Sequence, residues 1–282
     1  YLMVYLLKTS NFRSTEHYYS ILQSAFSKTF GKVEVVDSLN IFKLHKNNDC
    51  YIIGAAKPAL LLLINGCKNV IYWCQGVGPE ERKIYKEPSY MMLLHSMIEK
   101  YILKKAKMIF FVSEAMKEHF EKKYRLDFHN RYYVMPCFNE DHLDEECFDN
   151  DGKYQNNIFA YSGNLLPWQC FEKTAEIYHR IEQKSTVPTK FLVLTYEVEK
   201  AKNMLFDKNV KNFEVKYVTP EFVGRELRNV KYGFVIRENN IVNNVATPTK
   251  LSGYLAEGVI PIITESIIDF CSITLFSLLS HL

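Results

Sequence analysis

Residues 231–264 read KYGFVIRENNIVNNVATPTKLSGYLAEGVIPIIT. The order of residue types predicts strand, polar loop, helix, strand. Tyr232 to Ile236 is a short apolar run ending in β-branched residues, as a buried strand requires. Arg237 to Thr247 is a polar loop rich in asparagine. Pro248 sits where a first helical turn favours proline, and Thr247 before it is a candidate cap. Lys250 to Glu257 then forms a short helix, Gly258 suits its C-terminal stop, and Val259 to Thr264 reads as the next strand.

A loop at the carboxyl end of a strand is where ligands bind in open α/β sheets. The free N–H groups and positive dipole end of a helix starting near Pro248 would face that crevice. Arg237 and Lys250 add fixed positive charge, and an arginine can hold two phosphate oxygens at once. Asn239, Asn240, Asn243 and Asn244 offer amides suited to sugar or ribose hydroxyls. This set fits a phosphate. It fits equally a solvated αβ connection with an ordinary strand-end arginine, and spacing alone leaves both open.

The same alternation extends outward from this stretch. Ile158–Tyr161, Lys190–Thr195 and Phe213–Tyr217 read as strands, and Trp168–Glu182, Val198–Phe206 and Pro220–Arg228 as helices. Gly163, in the exit loop after the first of these strands, would let backbone approach a phosphate. In the first half, strands are expected at Leu2–Leu7, Lys32–Asp37, Cys50–Gly54, Val70–Cys74, Met108–Val112 and Tyr132–Met135. Helices are expected from Thr15 to Ser27, Ser89 to Ala106 and Glu114 to Lys123, the last capped by Ser113, with a buried helical turn at Pro58–Ile64. Glu16 and His17 lie at the start of the first helix, where a charge either faces a cleft or simply complements the dipole. Met91, Leu94, Met97, Ile98, Tyr101 and Ile102 are assigned to the apolar side of the Ser89–Ala106 helix. Lys100, Lys104, Lys105 and Lys107 cluster at its end, a pattern that fits either anionic lipid or an ordinary helix C-terminus.

Gln75 to Arg82 reads as a tight, exposed strand-end loop. It carries Gln75, Gly76, Glu80 and Glu81, and the two carboxylates are candidates for binding hydroxyls or taking a proton from one, or for capping the next helix. Strand–helix alternation throughout predicts an α/β protein with parallel sheets covered on both faces. The acidic, turn-rich residues 138–155 are expected to link a domain at 1–137 to a second at 156–282.

A chain of 282 residues that is 48% hydrophobic can bury the cores of two domains. A net charge of +3 gives no reason to expect a nucleic-acid partner. The seven cysteines are scattered without a C-x-x-C pair, which argues against a disulfide framework and structural zinc and suits a reducing cytosol. The apolar runs Tyr1–Leu7 and Ala59–Ile64 fall far below the about 20 residues of a membrane span. No secretory signal pattern opens the chain.

The segment RENN, followed by PTKLSGYLAEGVIPII, resembles the donor-binding segment of family 4 glycosyltransferases of the GT-B fold. That segment typically reads P-T-K-x-x-E-Y-x-A-x-G-x-P-V-I; Pro248, Thr249, Lys250, Tyr254, Ala256 and Gly258 match it, and Pro261 stands one residue beyond the family's second proline. YWCQGVGPEE is similar to the W-x-Q-G-x-x-P-E-E segment of some bacterial surface-polysaccharide glycosyltransferases, and FFVSEAMKEHFEKKY has the strand ending in serine found in such enzymes. The resemblance implies two Rossmann-like domains with parallel sheets and an interdomain cleft. It implies transfer of a sugar, with retention, from a nucleotide-sugar donor to a saccharide or lipid-linked acceptor in capsule or other polysaccharide biosynthesis. No metal, other cofactor or protein nucleophile is expected, and the setting is cytoplasmic with peripheral contact to the inner membrane. Donor binding falls to Gly163, Asn164, Arg237, Asn243, Asn244, Thr247, Thr249 and Lys250, and catalytic candidates are Glu80, Glu81 and Arg237. Four departures stand out. The family's ribose-binding glutamate is replaced by Gly253, with Glu257 one turn further on. The loop GNLLPWQ lacks the Arg and Lys that grip the diphosphate, and Lys8–Ser14 lacks the glycine-rich turn. The second domain is expected to be short at its carboxyl end. A catalytically impaired homologue that binds nucleotide-sugar or partner enzymes, and a GT-B nucleotide-sugar epimerase, therefore stay open as alternatives.

Overall fold

The computed structural model describes residues 3–8, 13–37, 48–138, 140, 143, 145–148 and 151–273, with side chains except at 13–17, 151 and 271–273. The expectations for residues 9–12 and for the side chains of Glu16 and His17 lie outside them. The chain divides into two compact units, Tyr1–Pro136 and Cys137–Leu282.

The first unit runs β1 (Val4–Lys8), α1 (Arg13–Phe30), β2 (Val33–Asp37), β3 (Cys50–Ile53), α2 (Ala56–Ile64), β4 (Asn69–Cys74), α3 (Gly78–Ile84), α4 (Ser89–Lys105), β5 (Met108–Phe111), α5 (Glu114–Tyr124) and β6 (Tyr132–Val134). Its six strands form one parallel sheet in the order β2-β1-β3-β4-β5-β6. β3 and β4 are almost wholly buried, so they are continuous apolar runs rather than alternating ones. Ser113 caps α5 as its position implied: its hydroxyl accepts from the Met116 N–H at 2.9 Å. Ser113→Ala is expected to destabilise this unit by about 1 kcal/mol, read from the urea midpoint at unchanged m-value.

Two expectations for this unit need correction. The segment after β4 is not an open loop as far as Arg82, because α3 begins at Gly78, with Val77 and Pro79 buried. Proline is tolerated in a first turn, so Gly78-Pro79 starts a helix here instead of excluding one. The apolar face of α4 is also turned from the one expected. Its buried positions are Glu99, Ile102 and Leu103, while Leu94 and Met97 are exposed. Apolar residues surround this helix on most sides, so periodicity could not fix its phase.

The second unit runs α6 (Asp151–Gln155), β7 (Asn157–Ser162), α7 (Phe171–Lys184), β8 (Thr189–Leu194), α8 (Val198–Asp207), β9 (Phe213–Lys216), α9 (Pro220–Leu227), β10 (Tyr232–Val235), α10 (Ile241–Asn244), α11 (Thr249–Ala256), β11 (Ile260–Ile263) and α12 (Ile268–Ile273). Five parallel strands pair in the order β11-β10-β7-β8-β9. Side chains alternate strictly between the two faces. Phe159, Tyr161, Phe191, Val193 and Phe234 pack with Phe171, Tyr178, Ala201 and Leu205 of α7 and α8. Ala160, Leu192, Leu194 and Val235 pack with Leu227, Leu251 and Tyr254 of α9 and α11. The chain leaves β7 toward β8 on one side and returns to β10 on the other, so the strand order reverses between β7 and β10. Ligands in such sheets bind outside the carboxyl ends of the strands at that reversal.

Candidate functional site

The reversal point is built on two small residues. Gly233 of β10 lies opposite Ala160 of β7 in register, on the face covered by α11. Tyr254 of α11 fills the space they leave, fully buried. A Cβ on Gly233 would come within 2.5 Å of the Tyr254 ring. The Tyr254 hydroxyl reaches past the strands and accepts the Ser162 N–H at 2.9 Å, fixing the point where β7 ends. Gly163 follows with φ 129, a conformation that side-chain-bearing residues rarely adopt, and so the exit loop turns there.

Two cations converge on that exit loop from elsewhere in the chain. Arg237 leaves the end of β10, 4% exposed. Its backbone is held on both sides: its N–H donates to Thr264 Oγ1 at 2.9 Å, and its carbonyl accepts from the Thr264 and Ser266 hydroxyls at 2.8 and 3.1 Å. One guanidinium nitrogen donates to the Trp168 carbonyl at 2.5 Å, while Nε is buried without a partner. Lys250 comes from the first turn of α11, 8% exposed. Its Nζ lies 3.9 Å from the Tyr161 ring centroid and 3.5 Å from the place a Cβ on Gly163 would take. Among the described residues no carboxylate pairs with either cation. The loop that lacks its own basic residues thus receives one cation from β10 and one from α11.

Helix ends add to this charge. α11 is capped by Pro248, not by Thr247 as expected, and no side chain accepts from its first N–H groups. Thr247 turns its hydroxyl to the Cys137 N–H instead, at 3.0 Å. α7 begins at Cys170 in the left-handed region, likewise without a side-chain cap. Burial, and after it the neighbouring Arg237, hold the Lys250 pKa well below the ordinary lysine range. Burial likewise lowers Arg237.

The sign of the Lys250 shift gives a pH prediction. Below its folded pKa, Lys250 carries a proton in both the folded and the unfolded chain. Between that pKa and the unfolded value of about 10.4, only the unfolded chain holds it, so stability of the ligand-free protein rises with pH through that window. An anion bound beside Lys250 would raise its pKa, and binding within the window is then expected to take up a proton. Calorimetry in two buffers of different ionisation enthalpy measures this. Equal apparent enthalpies within the window would show that Lys250 keeps one protonation state.

The asparagines mostly shape the loop. Asn240 caps α10, its Oδ1 accepting from the Asn243 N–H at 3.0 Å. Asn243 is fully buried and donates to the Glu238 carbonyl, but its Oδ1 has no partner. The Asn244 amide lies 3.0 Å from Asn239 Oδ1. Asn164 accepts from Tyr161 through its carbonyl and from the Leu166 N–H through its side chain. Thr249 is half-buried, and its carbonyl accepts from the Ser252 hydroxyl at 2.8 Å. Gly253 faces open space, with nothing within 4 Å of where its Cβ would stand. Glu257 does not reach into that space. Its carboxylate packs on Gly224 of α9, where a Cβ would meet Oε1. Lys153 and Tyr154 of α6 donate to the carbonyls of Glu257 and Gly258, closing the far end of α11. Sequence reasoning missed these two C-terminal caps and the role of Tyr254; the pairing of Gly233 with a small residue in the neighbouring strand was the one available signal for the latter.

In the first unit, Gln75 is exposed, with Nε2 2.6 Å from where a Cβ on Gly54 would stand, beside the reversal between β1 and β3. Glu81 folds over Gly76 and accepts the Val77 N–H at 3.1 Å. Burial raises its pKa. Glu80 pairs with Lys123 at 2.8 Å and His119 at 3.1 Å. Burial would raise its pKa too, but the His119 and Lys123 hydrogen bonds outweigh it, and the net shift is downward. Lys123 also donates to the buried Glu99, which accepts from the Tyr124 hydroxyl as well. This network ties α3, α4 and α5 together, and Glu80 and Glu81 both hold the loop that carries Gln75.

No protein-family profile matches the chain, and no curated sequence does. Solved structures do share its fold. WaaG, a glycosyltransferase of lipopolysaccharide biosynthesis, aligns over 93% of this chain and 80% of its own, with a TM-score of 0.63 at 12% identity. Sucrose-phosphate synthase of Thermosynechococcus elongatus aligns over 93% and 81%, with 0.65 at 9%. A mutant of TarM from S. aureus, crystallised with fondaparinux, α-GlcNAc-glycerol and UDP, aligns over 81% of this chain with 0.55 at 13%. The chain spans 44% of TarM's length. The architecture is α/β with two parallel, helix-covered sheets, as in glycosyltransferases of the GT-B class. At these identities the likeness is one of fold.

Proposed function

We propose that the second unit binds the diphosphate of a nucleotide-sugar and that the protein transfers the sugar to a saccharide or lipid-linked acceptor. One observation carries this reading. Arg237 and Lys250 are buried side by side at the β7/β10 reversal with no anionic partner among the described residues. A buried charge without a partner costs several kcal/mol. A ligand diphosphate supplies the missing charge, with Arg237 Nε and the uncapped N–H groups of α11 as further donors. As the sugar–phosphate bond breaks, negative charge grows on the departing diphosphate, and these fixed donors stabilise it. That role needs no metal. Retention at the sugar, a place in surface-polysaccharide synthesis and a cytoplasmic setting belong to the same proposal. TarM with UDP, and an E. coli trehalose-6-phosphate protein bound to UDP-2-fluoro glucose, show such ligands on this fold. Among the described residues no helix is long and apolar enough to cross a membrane.

Gly253 favours a second reading. Open space stands at that position, and Glu257 is engaged elsewhere, so no carboxylate is offered from this face of α11. A protein that binds nucleotide-sugar without turnover fits this equally. The test is calorimetric titration with UDP- and GDP-sugars, followed by product analysis with and without saccharide acceptors. Transfer to an acceptor supports the enzyme. Binding without turnover supports the second reading, release of an altered nucleotide-sugar without acceptor supports an epimerase, and absence of all binding sinks the proposal.

A further inference from the structure

β9 is the last strand of the second sheet, and among the described residues no strand pairs with its outer edge. Its pairing with β8 fixes which backbone groups that edge offers. The Phe191 N–H donates to the Asn212 carbonyl at 3.0 Å, and the Thr195 N–H to the Lys216 carbonyl at 3.1 Å. Alternate residues of a strand turn their N–H and C=O to opposite edges. Residues 212, 214 and 216 therefore face β8, and Phe213, Val215 and Tyr217 face outward. Exposed edges are usually guarded by lysine, by proline or by a covering helix or loop. Residues 213–217 instead read Phe-Glu-Val-Lys-Tyr, an order that complements itself when reversed: aromatic against aromatic, acid against base, valine against valine. Within the protomer Glu214 pairs with Lys190 at 2.5 Å and Lys216 at 3.0 Å, and Lys216 with Glu226 at 2.6 Å. These four side chains stay 29–44% exposed, so each has room for a further partner.

We propose that β9 pairs with β9 of a second copy of this chain, antiparallel, about a two-fold axis through Val215. Two antiparallel copies exchange hydrogen bonds only where outward residues meet outward residues. Within 213–217, three such registers align three residues or more. The one centred on Glu214 sets Glu214 against Glu214, and the one centred on Lys216 sets Lys216 against Lys216. Only the register centred on Val215 sets Glu214 against Lys216, and it does so twice. These charges then fall in the non-hydrogen-bonded pairs, where side chains stand closer. Phe213 meets Tyr217, which is 57% exposed, on the face shared with α8, and there Phe206, 63% exposed, packs edge-on to Phe213 at 5.2 Å between ring centroids. The contact is isologous, so it closes at two copies. A second copy is the fitting occupant because the strand complements itself in charge and in hydrogen-bond parity together. One strand and its flanking side chains make a small contact, so a weak dimer is expected, with a dissociation constant of about 10 µM or more. The proposal does not depend on what the Arg237–Lys250 pair binds.

The test is sedimentation velocity of the full chain up to about 200 µM, where the parent protein is expected to populate a dimer. Glu214→Lys and Lys216→Glu, made separately, each turn both cross-strand pairs into like-charge pairs. Each is expected to weaken the dimer by about tenfold or more. An equimolar mixture of the two variants restores opposite charges at both pairs, and a heterodimer of about the parent's affinity is expected there. Glu214→Gln with Lys216→Gln introduces no repulsion within the protomer and is expected to weaken the dimer severalfold. A parent protein that stays monomeric at the highest concentration overturns the proposal. So does a dimer that the charge reversals or the glutamine pair leave unchanged, which would place the contact elsewhere. Two folded single variants that stay monomeric when mixed overturn the Val215-centred register.

Discussion

Alanine at Arg237 is expected to weaken binding of a nucleoside diphosphate by about 1.5–3 kcal/mol, roughly ten- to a hundredfold, without destabilising the ligand-free protein. The two halves of this expectation have one cause. The guanidinium is buried, its Nε lacks a partner, and Lys250 beside it carries the same sign. The apo protein therefore bears the cost of the charge, and the ligand recovers it. The backbone contacts that hold the loop, from Thr264 and Ser266 to the Arg237 main chain, survive the change. Titration calorimetry with UDP, paired with a melting curve of the apo variant, reads both quantities. Unchanged affinity would remove Arg237 from the site. A large fall in apo melting temperature would make it a structural residue instead.

The second large effect is expected at Gly233, a strand residue packed under the Tyr254 ring. Gly233→Ala places a methyl carbon 2.5–2.8 Å from three atoms of the buried Tyr254 ring. The ring cannot swing away, because it is enclosed between the sheet and α11, and overpacking of this kind costs about 1–3 kcal/mol. For a unit of this size that corresponds to a fall of about 3–10 °C in melting temperature. The shift also pulls the Tyr254 hydroxyl off the Ser162 N–H and loosens the turn at Gly163, so donor affinity is expected to drop as well. Restored stability in a Gly233→Ala, Tyr254→Leu double variant, with affinity still low, would separate packing from positioning. Wild-type melting in the single variant would show that β10 and α11 are less closely packed than 2.5 Å implies.

Much of the architecture could be read along the chain because a parallel sheet buries both faces of its strands. Runs such as Cys50–Ile53, Asn69–Cys74 and Tyr232–Val235 then announce themselves without any partner being known. Local chemistry likewise placed the Ser113 cap. Local signals failed where another part of the chain decided the outcome. The phase of α4 was invisible because apolar residues lie on most of its sides, and only Lys123 and Tyr124 on α5 explain why Glu99 is the buried one. Thr247 looked like a cap until the Cys137 N–H claimed its hydroxyl. Glu257, one turn from Gly253, is committed to α9 by a contact that no spacing rule contains.

What the sequence determined by itself was the alternation of strands and helices and the identity of the two basic residues, Arg237 and Lys250. The tertiary structure alone decided that they meet. One stands at the end of β10 and the other in the first turn of α11, and both reach the exit loop of β7 because the strand order reverses there. Burial with no anion alongside is a property of that meeting. Side-chain charge is written in the chain, whereas desolvation is imposed by whatever the fold packs around it.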